Sequence, residues 1–219
     1  MNSPLEITEL VDKIEATVRN HALEQTGAFA RWRWQNDKQT RELGINEYGC
    51  ADAANILYTI SRFPQDITER QAWVAVLQDL QKPKSGLYEE ATHHPFHTTA
   101  HCLAALELFD ALPKYPLAGM AHLSEKSALE NFLENLDWHN TPWQQSHQGA
   151  GIYAARVIAG EASADWQNWY FDWLWENADP ESGMWRRGAV SHETPRGIFT
   201  HLAGTFHYQI GRASCRERV

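Results

Sequence analysis

His93, His94, His97 and His101 fall within one short stretch of the chain. If that stretch is helical, His97 and His101 share a face, the spacing at which two imidazoles can grip one metal ion. His93 and His147 are available as further ligands. The residues between the pair are Thr98, Thr99 and Ala100, so the His-Glu-x-x-His arrangement with its built-in general base is absent. No Cys-x-x-Cys accompanies the pair. No metal or other cofactor is expected, and His97 and His101 are the candidates should one be held. Imidazoles at such spacing also serve acid–base chemistry, because their ordinary pKa lies close to neutrality.

The register of these residues supports the second role. The stretch from Glu47 to Tyr58 repeats as His97–Leu108, His147–Ile158 and Gly197–Tyr208, each 50 residues on and without a gap. Glu47, His97, His147 and Gly197 are therefore equivalent positions, and three of the four can transfer a proton. Glu47 and His147 are the expected proton-transfer pair, supported by Asp52, His97 and His101. Glu89, Glu90, His93, His94, His192 and Glu193 add titratable groups in the loops, and His201 adds one in the fourth repeat. Tyr88, Trp143 and Trp185 are the expected surfaces for stacking a substrate, and Tyr48, His94, Gln148 and His201 are further expected substrate contacts.

The elements that must position these groups are helices. Small residues four apart recur in each repeat, at Cys50 and Ala54, Ala100 and Ala104, Ala150 and Ala154, and Thr200 and Gly204. They share a helix face and let a second backbone come close. Pro95 and Pro195 suit a first helical turn, Thr194 suits an N-cap, and Ser146 is the expected cap of the third small-residue helix. Amphipathic stretches at Leu5–Gln25, Ile67–Gln81, Glu125–Leu136 and Ala164–Asn177 alternate with the small-residue helices. No alternating strand pattern appears. The expected plan is an outer helix, a long loop and an inner helix, four times over. The loops Lys82–His94 and Ala178–Thr194 are long enough to carry function. Trp73, Trp166, Trp169, Trp173 and Trp175 fall in outer helices and are expected in the core, whereas Trp32, Trp34 and Trp138 fall in loops.

Composition narrows the partners. The chain has 219 residues, 10 Trp, 11 His, and a net charge of −9. An acidic chain without a basic stripe is a poor nucleic-acid binder. No apolar run is long enough to span a membrane. Met1–Leu10 lacks the basic and apolar regions of a secretory signal, and a cytoplasmic location is expected. No phosphate-cradling glycine loop and no Gly-x-Ser-x-Gly nucleophile elbow is present.

Two stretches resemble the repeats of the α/α toroids, the helical-hairpin barrels of terpenoid cyclases, protein prenyltransferases and six-hairpin glycosidases. Arg70–Gln78 followed by Gly86-Leu87-Tyr88 is similar to the QW repeat of terpenoid cyclases, with a longer spacer and Tyr in place of the final Trp. Trp173-Leu174 followed by Ser182-Gly183-Met184-Trp185 repeats the pattern without the Gln, and the turns Pro83–Tyr88 and Pro180–Trp185 match each other. The resemblance implies an all-α fold in which inner helices surround a cavity and their N-termini share its mouth. The four hairpins visible would form an incomplete barrel. The Asp-x-Asp-Asp acid of terpene cyclases and the Asp-x-Cys of prenyltransferases are absent.

Ile210–Val219 matches the translation of a short-read sequencing adapter, ATC GGA AGA GCG TCG TGT AGG GAA AGA GTG, residue for residue. Residues 1–209 are expected to be one domain of a longer chain, and 210–219 a foreign tail. Cys50 and Cys102 then remain, unpatterned and expected to be reduced. The sequence reading is an acid–base enzyme for a small-molecule or oligosaccharide substrate, of glycosidase, lyase or epimerase type. A terpenoid-cyclase-like enzyme and a non-catalytic helical scaffold are the alternatives.

Overall fold

The computed structural model describes residues 7–138 and 141–178 and, apart from the side chains of Pro142 and Trp143, the statements below concern these. The described residues form seven α-helices and one short 3-10 helix. They are α1 (Thr8–Arg19), α2 (Glu47–Thr59), α3 (Ile67–Leu80), α4 (Pro95–Leu108), α5 (Lys126–Glu134), α6 (Pro142–Ile158) and α7 (Ala164–Glu176), with the 3-10 helix at Ala118–Ser124 before α5. Only two isolated bridges, Ala22 with Phe29 and Ala30 with Ile45, have extended pairing among the described residues. None of the described helices is long and apolar enough to cross a membrane.

Four of the described α-helices start where a polar side chain satisfies their free N–H groups. Asn46 Oδ1 accepts from the amides of Tyr48 and Gly49. Asp66 and Ser163 cap α3 and α7 in the same way. His94 caps α4 through Nδ1, which accepts from Phe96 N at 3.2 Å, and Pro95 occupies the first turn as expected. Ser146 does not cap α6. That helix begins a turn earlier, at Pro142, and Ser146 is buried inside it.

Helix α1 also departs from expectation by stopping at Arg19. The residues beyond it fold back, with His21 Nδ1 bonded to Ala30 O and Ala22 bridged to Phe29. These tertiary bonds satisfy the backbone polar groups that further helix would otherwise use.

Helices α2 and α4 lie side by side, as do α4 and α6, so the small-residue helices form one consecutive row. Helix α1 packs on α2, and α3 packs on both α2 and α4. The two classes bury different faces. Only Val18 is buried in α1 and only Leu129 and Leu133 in α5, whereas α2 and α4 are buried over much of their circumference. Two close approaches fall beside the expected small-residue positions. A Cβ on Gly151 would lie 2.7 Å from the Phe96 carbonyl oxygen, and one on Gly49 would lie 2.6 Å from that of Phe29. Only a residue without a side chain permits such contact.

The loop after α3 is fastened to the next connection. Gln81 is buried and donates from Nε2 to the carbonyls of Gly86 and Tyr115, while Oε1 accepts from Tyr115 N. Gln78 donates to Leu112 O. Trp73, Trp166 and Trp173 are core residues as expected, and Trp169 packs at the core edge. Trp175 is corrected to the surface, at 58% exposure, because its position on α7 faces away from that core. Trp138 is likewise not an open loop aromatic: it is buried, with Nε1 donating to Leu133 O.

Candidate active site at the inner-helix N-termini

The repeat register becomes a physical wall. The ring of His97, near the start of α4, stacks on that of His147 in α6, with centroids 4.4 Å apart. On the other side, the phenol oxygen of Tyr48, from the first turn of α2, lies 2.6 Å from His97 Nδ1. Tyr48 also stacks on His93 at 4.4 Å and on His101 at 4.8 Å. Residues distant in sequence thus meet because three in-register helices present the same turn to one another.

Carboxylates orient the imidazoles. Asp52 Oδ1 is 2.7 Å from His101 Nε2. With the proton on that nitrogen, His101 Nδ1 is left as the basic atom. Glu90 is buried and lies 3.4 Å from His93 Nδ1. It also accepts from Thr92 N and Thr92 Oγ1, and Arg31 Nη1 donates to it at 2.9 Å. Burial alone would raise its carboxyl pKa, but the bonds from Thr92 and His93 and the Arg31 charge outweigh burial and hold it below its ordinary value.

Glu47 behaves in the opposite way. Burial raises its carboxyl above the ordinary value, more than its own backbone N–H and the Lys82 charge lower it. Burial also lifts the Tyr48 phenol well above its usual range, so it stays protonated beside His97, where the imidazole tautomer sets which of the two donates. The His94 imidazole is lowered by burial, which suits a ring nitrogen that must accept from an amide. The Cys102 thiol is buried and raised, and donates weakly to Glu47 O. Cys50, also buried and unpaired, is pushed up to about 11. Neither thiol is poised as a nucleophile.

Of the expected catalytic residues, His97, His101, His147 and Asp52 join this wall, and Glu47 occupies the turn that carries Tyr48. Tyr48, expected only to touch substrate, is at the centre. The bond to His97 is made by Tyr48 rather than by the Glu47 side chain, and Asp52–His101 is a second side-chain link between α2 and α4. Gln148 lies beside His147 and donates to Gln145 Oε1. His94 is committed to its cap. Tyr88 is corrected: it is 0% exposed, so its ring offers no open stacking face, and its hydroxyl is buried without a hydrogen-bond partner. The Tyr88 backbone amide donates to Thr99 Oγ1, which draws the loop onto α4. The Trp143 side chain, Trp185, His192, Glu193, Gly197 and His201 lie outside the described residues, as do the stretches expected to be a fourth small-residue helix and a foreign tail.

His97 and His101 do not aim at a common ion. Their rings are nearly parallel at 6.4 Å, with His97 Nδ1 turned to Tyr48 and His101 Nε2 to Asp52. Among the described residues no three His, Cys, Asp or Glu side chains converge as metal ligands.

Arg31 and Thr92 were not singled out by sequence. Arg31 sits beside Trp32 in the loop before α2, outside the repeated stretches, and no spacing links it to Glu90. Its guanidinium lies over Tyr48 at 5.0 Å and beside Trp32 at 5.4 Å. The chain was compared with known proteins, and no family model, no curated protein and no solved structure matches it.

Proposed function

We propose that this protein is an acid–base enzyme acting on a polar, carbohydrate-like substrate, by proton abstraction or transfer of the lyase or epimerase kind. The observation that carries this reading is the pairing of Tyr48 with His97 beside the pairing of Asp52 with His101. One imidazole has its basic nitrogen set free by a carboxylate, and the other holds a short bond to a protonated phenol. Such a pair can take a proton on one side and return one on the other. Glu47, kept protonated further up the pH scale by burial, is a third proton-transfer group at the same end of α2. Glycoside hydrolysis by two opposed carboxylates has less support, because the groups nearest one another here are imidazoles and a phenol.

The same proposal reads the hairpins as part of an α/α toroid. Its support is the consecutive inner row α2–α4–α6 with α1 and α3 packed against it.

The test follows solvent deuterium. The full chain is incubated in D2O with a panel of neutral and acidic mono- and oligosaccharides, and loss of individual sugar C–H signals is read by NMR. Wild type should exchange or transform one class, and Tyr48→Phe and His97→Ala should not, while His122→Ala on the remote 3-10 helix should match wild type. Exchange that survives both wall substitutions, or that no sugar undergoes, defeats the proposal.

A structural polar layer is the second reading, favoured by the burial of Glu47 and His147. It predicts that Tyr48→Phe and His97→Ala lower stability and affect no reaction.

A further inference from the structure

We propose that Arg31 is an anion subsite that receives the carboxylate of an acidic sugar, a uronate. The inference rests on the reading of the wall as a carbohydrate site and names its substrate class.

The argument starts from how the guanidinium is held. Arg31 uses Nη1 alone on the protein, toward Glu90 at 2.9 Å and Thr92 Oγ1 at 2.7 Å. Nε and Nη2 make no hydrogen bond to the described residues, and the side chain is 24% exposed. Glu90 is 3% exposed and already accepts from Thr92, so it steadies one corner of the fork without closing over the rest. A planar guanidinium with an unspent Nε–Nη2 edge matches a planar carboxylate, which can accept two parallel N–H bonds.

The surroundings fit a sugar ring attached to that carboxylate. Trp32, a partly exposed aromatic, has two guanidiniums near its ring, Arg31 at 5.4 Å and Arg41 at 4.3 Å. Arg31 also sits 5.0 Å from the Tyr48 ring, whose hydroxyl bonds His97. An acidic group held on Arg31 would therefore lie near the Tyr48 ring, which belongs to the proton-transfer wall. Neutralising a carboxylate also makes its adjacent C–H easier to ionise, which is the chemistry the wall would need. The chain is acidic overall, but this loop concentrates its cations: Arg31, Arg33 and Arg41 lie within it.

The test is calorimetric binding of trigalacturonate at low salt to the full chain. Its methyl ester, which keeps the rings and removes the charges, and a sulfated galactose trisaccharide are the comparison ligands. The acid should bind at least tenfold more tightly than the ester. Arg31→Gln should lose at least tenfold for the acid and leave the ester unchanged. Arg31→Lys, which keeps the charge without the fork, should recover part of the loss, and Arg41→Gln should have a smaller effect. Circular dichroism of each variant checks that it folds. Equal binding of acid and ester, no binding of the acid, or full retention in folded Arg31→Gln overturns the subsite. Equal or tighter binding of the sulfated sugar overturns the choice of a carboxylate. Proton exchange confined to neutral sugars would sink the subsite alone. Arg31-dependent acid binding without any exchange would sink the acid–base reading and leave the subsite standing.

Discussion

The hydroxyl of Tyr48 and Nδ1 of His97 lie 2.6 Å apart, across the boundary between α2 and α4. The contact joins the first turns of two helices that the repeat places in equivalent positions. Tyr48→Phe removes one oxygen and keeps the ring that stacks on His93 and His101. The expected stability loss is about 1 kcal/mol, that of one net hydrogen bond. The expected loss of turnover is roughly 100-fold or more, the scale of a proton-transfer group. Chemical denaturation and the deuterium assay together check the split.

The Asp52–His101 pair should behave differently. Asp52 is 51% exposed in its side chain, so water screens the pair and its stability contribution is small. Asp52→Asn should shift the urea midpoint little and lower proton exchange clearly. A large stability loss would show that the pair is structural.

Glu47 and Glu90 should give opposite pH signatures. The folded-state pKa of Glu47 lies above its ordinary value, so the folded protein binds that proton more tightly. Its contribution is therefore present at low pH and is lost as pH rises through the range between the two values. Glu47→Gln should remove that decline and gain relative to wild type toward pH 7. The folded-state pKa of Glu90 is lowered, so its contribution is present above its ordinary value and lost as pH falls through the folded one. Glu90→Gln should cost about 1–3 kcal/mol near neutrality, because Arg31 loses its buried partner, and less in acid. Urea unfolding carried from below the ordinary carboxylate range up to neutral pH reads both slopes.

Tyr88 offers a test with the reverse sign. Its hydroxyl is buried without a hydrogen-bond partner, so Tyr88→Phe removes a desolvated polar group. The expected result is a gain of about 1 kcal/mol in stability with activity retained. A loss of activity would restore a functional role to the hydroxyl.

Gly151→Ala tests the packing that aligns the wall. The added methyl would sit 2.7 Å from the Phe96 carbonyl oxygen, which belongs to backbone and cannot swing aside. Stability should fall by about 1–3 kcal/mol. The His97–His147 contact should loosen with it, visible as altered imidazole signals in the NMR spectrum.

Among the described residues, the all-helical character and the approximate places of the helices were legible in the residues, although the start of α6 was not. Helix periodicity, caps and small-residue faces are local properties, and local spacing records them. Expected bounds such as Ala164–Asn177 lie within a residue of the observed Ala164–Glu176. His97 and His147, two members of the recurrence that includes Glu47, are in ring contact between α4 and α6.

The partnerships within the wall were decided by tertiary structure alone. Tyr48, one residue after the repeat position, is the group that reaches His97, because helix rotation sets which side chain faces a neighbour. Trp175 and Tyr88 exchanged their expected places for the same kind of reason: exposure depends on what packs against a residue. Arg31 lies 59 positions from Glu90, and their bond exists only because the loop before α2 and the loop before α4 share one end of the helix row. Residue types and period told where proton-transfer groups gather, and the packing of three helices chose which of them touch.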